Sequence, residues 1–207
     1  MTVRHHLRQL HDRAFLALDL RPSAADLERA TAFDKVNYAC GRRCLPSWLN
    51  IDIRPASRIP AEARASYIKL SLTRPHPFRD GTFRFGYSED FLEHLSQADA
   101  LVFLAEAFRT LAPGGVLRVS TPGLRGVLRR HLRSSDFAGA ETARAEAYTP
   151  FGHVHFFSEE SLEAIARHIG FRDIAFRNFG ESPHRELRAR ETRAEQDDLN
   201  IIAELTR

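Results

Sequence analysis

Glu106-Ala107-Phe108-Arg109-Thr110-Leu111-Ala112-Pro113-Gly114-Gly115-Val116-Leu117-Arg118-Val119-Ser120-Thr121-Pro122 is the stretch that decides the fold. It reads as the end of a helix, a Pro-Gly-Gly turn and a buried strand, and the glycines supply the backbone freedom that a tight turn needs. Upstream, Phe91, Leu92, Leu95, Leu101, Leu104, Ala105, Phe108 and Leu111 recur at helical spacing. They predict one long helix that Pro113-Gly114-Gly115 stops.

Working outward, strands are expected at Lys35–Ala39, Leu49–Ile53, Ser66–Leu70, Thr82–Tyr87 and Val116–Ser120, where apolar and β-branched residues alternate with polar ones. Two late strands are expected near Asp173–Phe179 and Leu199–Leu205. Ser158 is placed to cap a helix that carries Leu162, Ile165, Ala166 and Ile169 and ends at Gly170. Strands alternating with helices predict an α/β architecture: a Rossmann-like, mostly parallel, seven-stranded sheet flanked by helices. Ligands of such sheets bind beyond the carboxyl ends of the strands. The residues just after each strand therefore matter most.

The first thirty or so residues read differently. Val3, Leu7, Leu10, Ala14 and Leu18 have helical spacing, and Ser23 with Asp26 is set to cap a second short helix. They predict an N-terminal helical extension over residues 1–31, before a Rossmann-like domain over residues 32–207. The segment Ser134–Phe151 is the least regular and reads as an insertion or lid.

Composition narrows the class. A chain of 207 residues, 43% hydrophobic and 28% charged, suits one globular domain. No apolar run approaches the length of a membrane span, and Met1–Arg13 has no signal-like apolar core, so a cytoplasmic location is expected. Thirty basic residues face 27 acidic ones, which makes nucleic acid an unexpected partner. The Arg125–Arg133 run reads as a solvated helix face, with anion binding as the alternative. Cys40 and Cys44 cannot make a four-ligand zinc site alone, and no disulfide framework or metal site is expected.

The Glu106–Pro122 string resembles the E-x-x-R-x-L-x-P-G-G-x-L-x-x-x-x-P segment of class I methyltransferases of the type 11 group. Val36-Asn37-Tyr38-Ala39-Cys40-Gly41 and Leu45-Pro46-Ser47-Trp48-Leu49-Asn50-Ile51-Asp52-Ile53 are similar to the L-N-I-G-C-G … G-W-x-N-V-D opening of a compact subgroup. Pro77–Phe83, Tyr87-Ser88-Glu89 and Leu92-Glu93-His94-Leu95 resemble its P-F-x-D-x-S-F … Y-S-E-H-x-x-E-H-L stretch. The segments His153–Phe157, Gly170-Phe171 and Gly180-Glu181-Ser182 match its C-terminal pieces. The resemblance runs from about Val36 to the end.

The resemblance implies methyl transfer from S-adenosylmethionine. Tyr38, Ala39, Cys40 and Gly41 would form the loop that approaches the cofactor. Asp52, followed by Ile53, would accept the ribose hydroxyls. Ser71 and Leu72 would flank the adenine, and Tyr87 and Ser88 the methionine part. There are departures: one glycine instead of several in the first loop, Ser71 where an acid is usual, and Arg84 in a strand that often carries an acid. Gly41 to Asp52 is too short for an intervening helix, as in the compact subgroup.

Methyl transfer needs orientation above all, with a base if the acceptor is a hydroxyl or amine. His94 and Glu89 are the catalytic candidates. His153 and His155, two apart on an extended stretch, are candidates for the acceptor side. A small molecule or glycan is the expected acceptor. The competing reading is a methyltransferase-like binding or assembly module that does not catalyse. Neither the acceptor nor the oligomeric state can be read from the sequence.

Overall fold

A computed structural model of the chain describes residues 22–207, so the helix expected at Val3–Leu18 lies outside the described residues. Seven strands form one sheet: β1 (Lys35–Tyr38), β2 (Leu49–Asp52), β3 (Tyr67–Lys69), β4 (Phe83–Glu89), β5 (Leu111–Pro122), β6 (Asp173–Phe176) and β7 (Asn200–Thr206). Their spatial order is β3-β2-β1-β4-β5-β7-β6. Strands β1 to β5 pair in parallel, and β7 runs antiparallel to both β5 and β6. The expected mostly parallel seven-stranded sheet is present. Its order reverses between β1 and β4, which puts the ligand crevice of such a sheet at those two carboxyl ends.

Among the described residues, five α-helices accompany the sheet: α1 (Ala24–Ala30), α2 (Gln97–Thr110), α3 (Leu124–His131), α4 (Phe137–Ala143) and α5 (Glu159–Ile169). Ser23 and Asp26 form the expected capping box on α1. Ser158 caps α5, and Gly170 ends it. On one face of the sheet Val36, Tyr38, Ile51, Leu117 and Val119 pack with Phe103 and Leu104 of α2 and Leu162 and Ala166 of α5.

Two boundaries differ from the sequence reading. The long helix expected from Phe91 is broken: Leu92–His94 is a single 3-10 turn, and α2 starts only after Ser96. The Ser96 hydroxyl accepts from Asp99 N at 3.1 Å, an N-cap that outweighs the apolar spacing running across it. The Pro-Gly-Gly turn does not stop the helix either. α2 ends at Thr110, Leu111 already pairs with Phe83, and Ala112–Gly115 is a bulge inside β5. Gly115 is required there, because a Cβ would stand 2.8 Å from Ala112 O and 3.0 Å from Phe83 O.

The Glu-x-x-Arg of the deciding stretch ties α2 to the β3–β4 connection. Arg109 grips Glu106 with Nε and Nη2, at 3.0 and 2.7 Å. The same guanidinium donates to His76 O, Phe78 O and Asp80 Oδ1, while Glu106 Oε2 accepts from His76 N at 2.6 Å.

The other face of the sheet is covered mainly by connecting chain. Trp48, Phe85, Tyr87 and Val116 pack with Leu187 of the β6–β7 connection. Beneath it lies Arg118, whose side chain is 0% exposed. It donates to Glu191 Oε1 at 2.6 Å, Glu204 Oε1 at 2.9 Å and Glu181 O at 2.8 Å. Arg177 pairs with the other oxygen of Glu204 at 3.1 Å. The β1–β2 connection has no helix to satisfy its backbone, and a buried asparagine pair does so instead. Asn37 donates to Asn50 Oδ1 and Arg43 O, both at 2.9 Å. Asn50 in turn binds Leu45 N, Leu45 O and Trp48 O.

Arg118→Met strips two buried carboxylates of their shared cation. It is expected to lower stability by about 3–5 kcal/mol in urea unfolding, and a loss below about 1 kcal/mol would refute the anchoring role. Ala39 holds a left-handed φ of 51°, which strains any residue with a Cβ. Ala39→Gly is expected to raise stability by about 1 kcal/mol in the same assay, with an unchanged denaturant slope.

Candidate functional site

The loop after β1 is shaped by left-handed residues and fastened by an acid. Ala39 and Gly41 have φ of 51° and 56°. No atom lies within 4 Å of a Cβ built on Gly41, so its face is open. Gly41 N donates to Asp52 Oδ2 at 2.8 Å, and Arg54 N to Asp52 Oδ1 at 3.0 Å. The Asp52 side chain, at the carboxyl end of β2, therefore links the loops after β1 and β2. Each carboxylate oxygen can accept more than one hydrogen bond, so capacity remains for a diol. Ile53, half-buried, follows it. Cys40 and Cys44 are free thiols with their sulfurs 4.0 Å apart, and burial pushes both pKa values up.

Ser71 and Leu72 follow β3 and are buried. Ser71 Oγ lies 3.3 Å from Thr73 Oγ1. Leu72 belongs to the main core, and its carbonyl stands 3.3 Å from Nε2 of His76. Burial lowers the His76 pKa to about 4, which keeps that ring neutral.

At the end of β4, Tyr87 and Ser88 point to opposite faces, as neighbours in a strand must. The Tyr87 ring packs with Trp48 and Leu187. Ser88 pairs in register with Tyr38 of β1, at the point where the strand order reverses. Its hydroxyl is buried and has no hydrogen-bond partner among the described residues. Glu89 comes next. Its carboxylate accepts from Arg43 Nη1 at 3.0 Å, Thr192 N at 3.0 Å and Thr192 Oγ1 at 3.2 Å. Asp90, with φ 51°, pairs with Arg193.

One turn further on lies a second cluster, with Glu93, His94 and His153 at its centre. The Glu93 side chain is 1% exposed, and Nε2 of His94 and of His153 each stand 4.0 Å from its Oε1. Glu93 Oε2 accepts from Thr121 Oγ1 of β5 at 2.9 Å. His153 donates from Nδ1 to Ala147 O at 2.7 Å, which leaves the lone pair on Nε2. Val154 N donates to Glu93 O at 2.7 Å and so straps the histidine-bearing segment to the turn after β4. Phe151 stacks on His153 at 5.2 Å. Burial raises the Glu93 pKa to about 7 and lowers that of His153 to about 4.

The structure thus sorts the candidates into two groups. Residues 38–41, Asp52, Tyr87, Ser88 and Glu89 gather at the ends of β1, β2 and β4. His94 lies on a 3-10 turn, not on the helix that the sequence predicts, because Ser96 restarts the chain as α2. His153 meets Glu93 and His94, whereas His155 packs edge-on against Phe157 at 4.6 Å. Arg84 stands at the amino end of β4, exposed and 3.9 Å from Asp34, away from the crevice. The one acid of β4, Glu89, is at its carboxyl end instead. The Arg125–Arg133 run is paired locally: Arg125 with Glu160, Arg130 with Asp198 and Arg133 with Glu146. Sequence reasoning missed Glu93, although it sits in the quoted Glu-His-Leu string. It had no local signal for Arg43, Thr121, Thr192 or Arg193. No helix among the described residues is long and apolar enough to cross a membrane.

S-adenosylmethionine fits this crevice on three counts: the open face of Gly41, the spare acceptor capacity of Asp52 and the unpartnered Ser88 hydroxyl at the switch point. Comparison with known proteins agrees. Residues 14–175 match the family model described as a methyltransferase domain. No curated protein matches. Among solved structures, a methyltransferase from Thermotoga maritima, titled a possible histamine N-methyltransferase, superposes with TM-score 0.57 at 17% identity, over 98% of this chain and 97% of that one. A methyltransferase from Archaeoglobus fulgidus gives 0.57 at 13%, over 98% and 94%. One from Mesorhizobium loti gives 0.55 at 18%, over 88% and 94%. At such identities these likenesses speak for the fold, and the family match carries the assignment. The chain belongs to the methyltransferase domain family and is an S-adenosylmethionine-dependent enzyme of the class I fold.

Proposed function

We propose that the chain methylates a small molecule or glycan whose nucleophilic oxygen or nitrogen is held against Glu93, His94 and His153. The observation that carries this reading is the convergence of those three groups just past the carboxyl end of β4. The methyl crevice ends at the same strand. S-adenosylmethionine supplies an electrophilic methyl on a sulfonium. The chain's own residues orient and exclude. Asp52 and the 39–41 loop hold the ribose side, and Ser88 hydrogen-bonds the methionine part. We assign Glu89 to fastening Arg43 and Thr192 beside the crevice, since three donors already occupy its carboxylate. His94, with 37% of its side chain exposed, is the member of the cluster that touches the acceptor. His153 and Glu93 act from behind it, and His155 forms part of the wall.

Calorimetry with S-adenosylmethionine, followed by turnover assays on a panel of hydroxyl and amine acceptors, tests this. Asp52→Asn should weaken cofactor binding by about tenfold or more. His94→Ala should keep cofactor affinity and lose about 100-fold or more in turnover. An absence of cofactor binding at millimolar ligand would end the reading.

The cluster also sets a pH signature. Folded Glu93 keeps a proton up to about pH 7, whereas its ordinary value is 4.5. Its contribution to stability is present at low pH and is lost as pH rises through that window. His153, held near 4 instead of 6.5, acts in the opposite direction. The difference in stability between wild type and Glu93→Gln removes the histidine's share. In chelator-containing buffer that difference should shift against the wild type between about pH 5 and 8, by at most about 3 kcal/mol. A difference constant with pH would contradict the buried carboxylate.

A further inference from the structure

We propose that Glu93, His94 and His153 form a binding site for a divalent transition-metal ion, with one carboxylate oxygen and two imidazole nitrogens as ligands and open positions toward the acceptor. The role assigned to the ion rests on the methyl-transfer reading; the site itself rests on geometry. One ligand atom from each residue lies within 4.8 Å of the other two. An ion centred among atoms so spaced stands about 2.5 Å from each, so small side-chain rotations bring it to bond lengths of about 2.0–2.2 Å.

The outer contacts are those that a metal site requires. His153 donates from Nδ1 to Ala147 O at 2.7 Å, which fixes the tautomer with its lone pair at Nε2. The Thr121 hydroxyl holds Glu93 Oε2 at 2.9 Å and leaves Oε1 for the ion. The segment carrying His153 is bound to the backbone of Glu93 itself, through Val154 N at 2.7 Å and His155 N at 3.3 Å. A carboxyl so buried ionises readily only when a cation takes its proton's place. No lysine or arginine among the described residues forms a salt bridge with Glu93. The side chains recorded beside it are the two imidazoles and the Thr121 hydroxyl, while Glu89 acts on Glu93 with the same sign.

Two imidazoles and one carboxylate suit zinc, cobalt, manganese or iron and leave coordination positions free, as in catalytic sites. His94 is the exposed member, so the free side opens where the acceptor is proposed to lie. An ion so held lowers the pKa of a hydroxyl that it binds, and an oxygen acceptor then loses its proton to water without a side-chain base. The acceptor class narrows accordingly, toward an alcohol or a glycan hydroxyl.

The test uses the full chain, stripped with chelator and titrated with Zn²⁺ by calorimetry and with Co²⁺ by visible absorption. The expected result is one equivalent bound, with ligand-field bands in the cobalt sample. Glu93→Gln, His94→Ala and His153→Ala should each weaken binding by about tenfold or more. His168→Ala, on α5, and the double variant His5→Ala/His6→Ala, outside the described residues, should bind as the wild type does. Circular dichroism checks that each variant is folded, and the half-exposed His94 is the variant least able to disturb the core. Failure to bind either ion overturns the site, as does binding that folded Glu93, His94 and His153 variants leave unchanged. Cofactor calorimetry on the same stripped samples separates the two readings. S-adenosylmethionine binding without ion uptake removes the metal centre and leaves the methyl-transfer site. Ion uptake without cofactor binding leaves the metal centre standing and overturns the role given to it.

Discussion

A guanidinium buried in the middle of a β-sheet has to be neutralised, and most of the second face of this protein follows from how Arg118 is neutralised. Removing such a charge from water costs several kcal/mol unless partners replace the solvent. Glu204 answers from the neighbouring strand β7, and Glu191 from the β6–β7 connection. The connection must therefore fold back over the sheet. In doing so it buries Leu187 against Trp48 and Tyr87. It also delivers Thr192 and Arg193 to Glu89 and Asp90 at the carboxyl end of β4. A structural ion network thus fixes one wall of the crevice at the carboxyl end of β4.

The crevice is built with few residues. The loop between the first two strands holds no helix and is stitched by Asn37 and Asn50 and closed by Asp52. The economy has a conformational cost at Ala39, held where glycine is more comfortable. The geometry survives even though the glycine-rich spelling does not, because Asp52 binds Gly41 N and so stabilises the left-handed turn from outside. Catalysis by in-line transfer asks mainly for such placement. In the proposed reading, control of the acceptor's proton falls on groups from three separate elements: the turn after β4, the end of β5 and the segment before α5.

Much of the sheet was legible because each strand writes its own burial pattern. β2 alternates Leu49 and Ile51 with Asn50 and Asp52, and every residue in it is buried. The caps at Ser23 and Ser158 were legible for the same reason, since a cap is a contact over three residues. The helix expected from Phe91 failed where two local signals competed. Apolar spacing runs through Leu95, but the Ser96 cap and the tie between Val154 N and Glu93 O favour a break. The Pro-Gly-Gly element was placed correctly in the chain and misread in role. Whether it stops a helix or bulges a strand depends on Phe83, a partner in another strand.

The sequence by itself determined the order of the strands, the caps at Ser23 and Ser158 and the place of the β2 acid, Asp52. These depend on sterics and hydrogen bonds within a few residues of each other. It also carried the Glu106–Arg109 pair, though not what that pair grips. Tertiary structure alone decided that Arg84 lies away from the crevice and that Glu89 is occupied by Arg43 and Thr192. It alone brought His153 to Glu93 and His94, and not to a shared task with His155. The reason is one of range: a side chain's partner across the sheet is set by the packing of whole elements, and no local spacing encodes it.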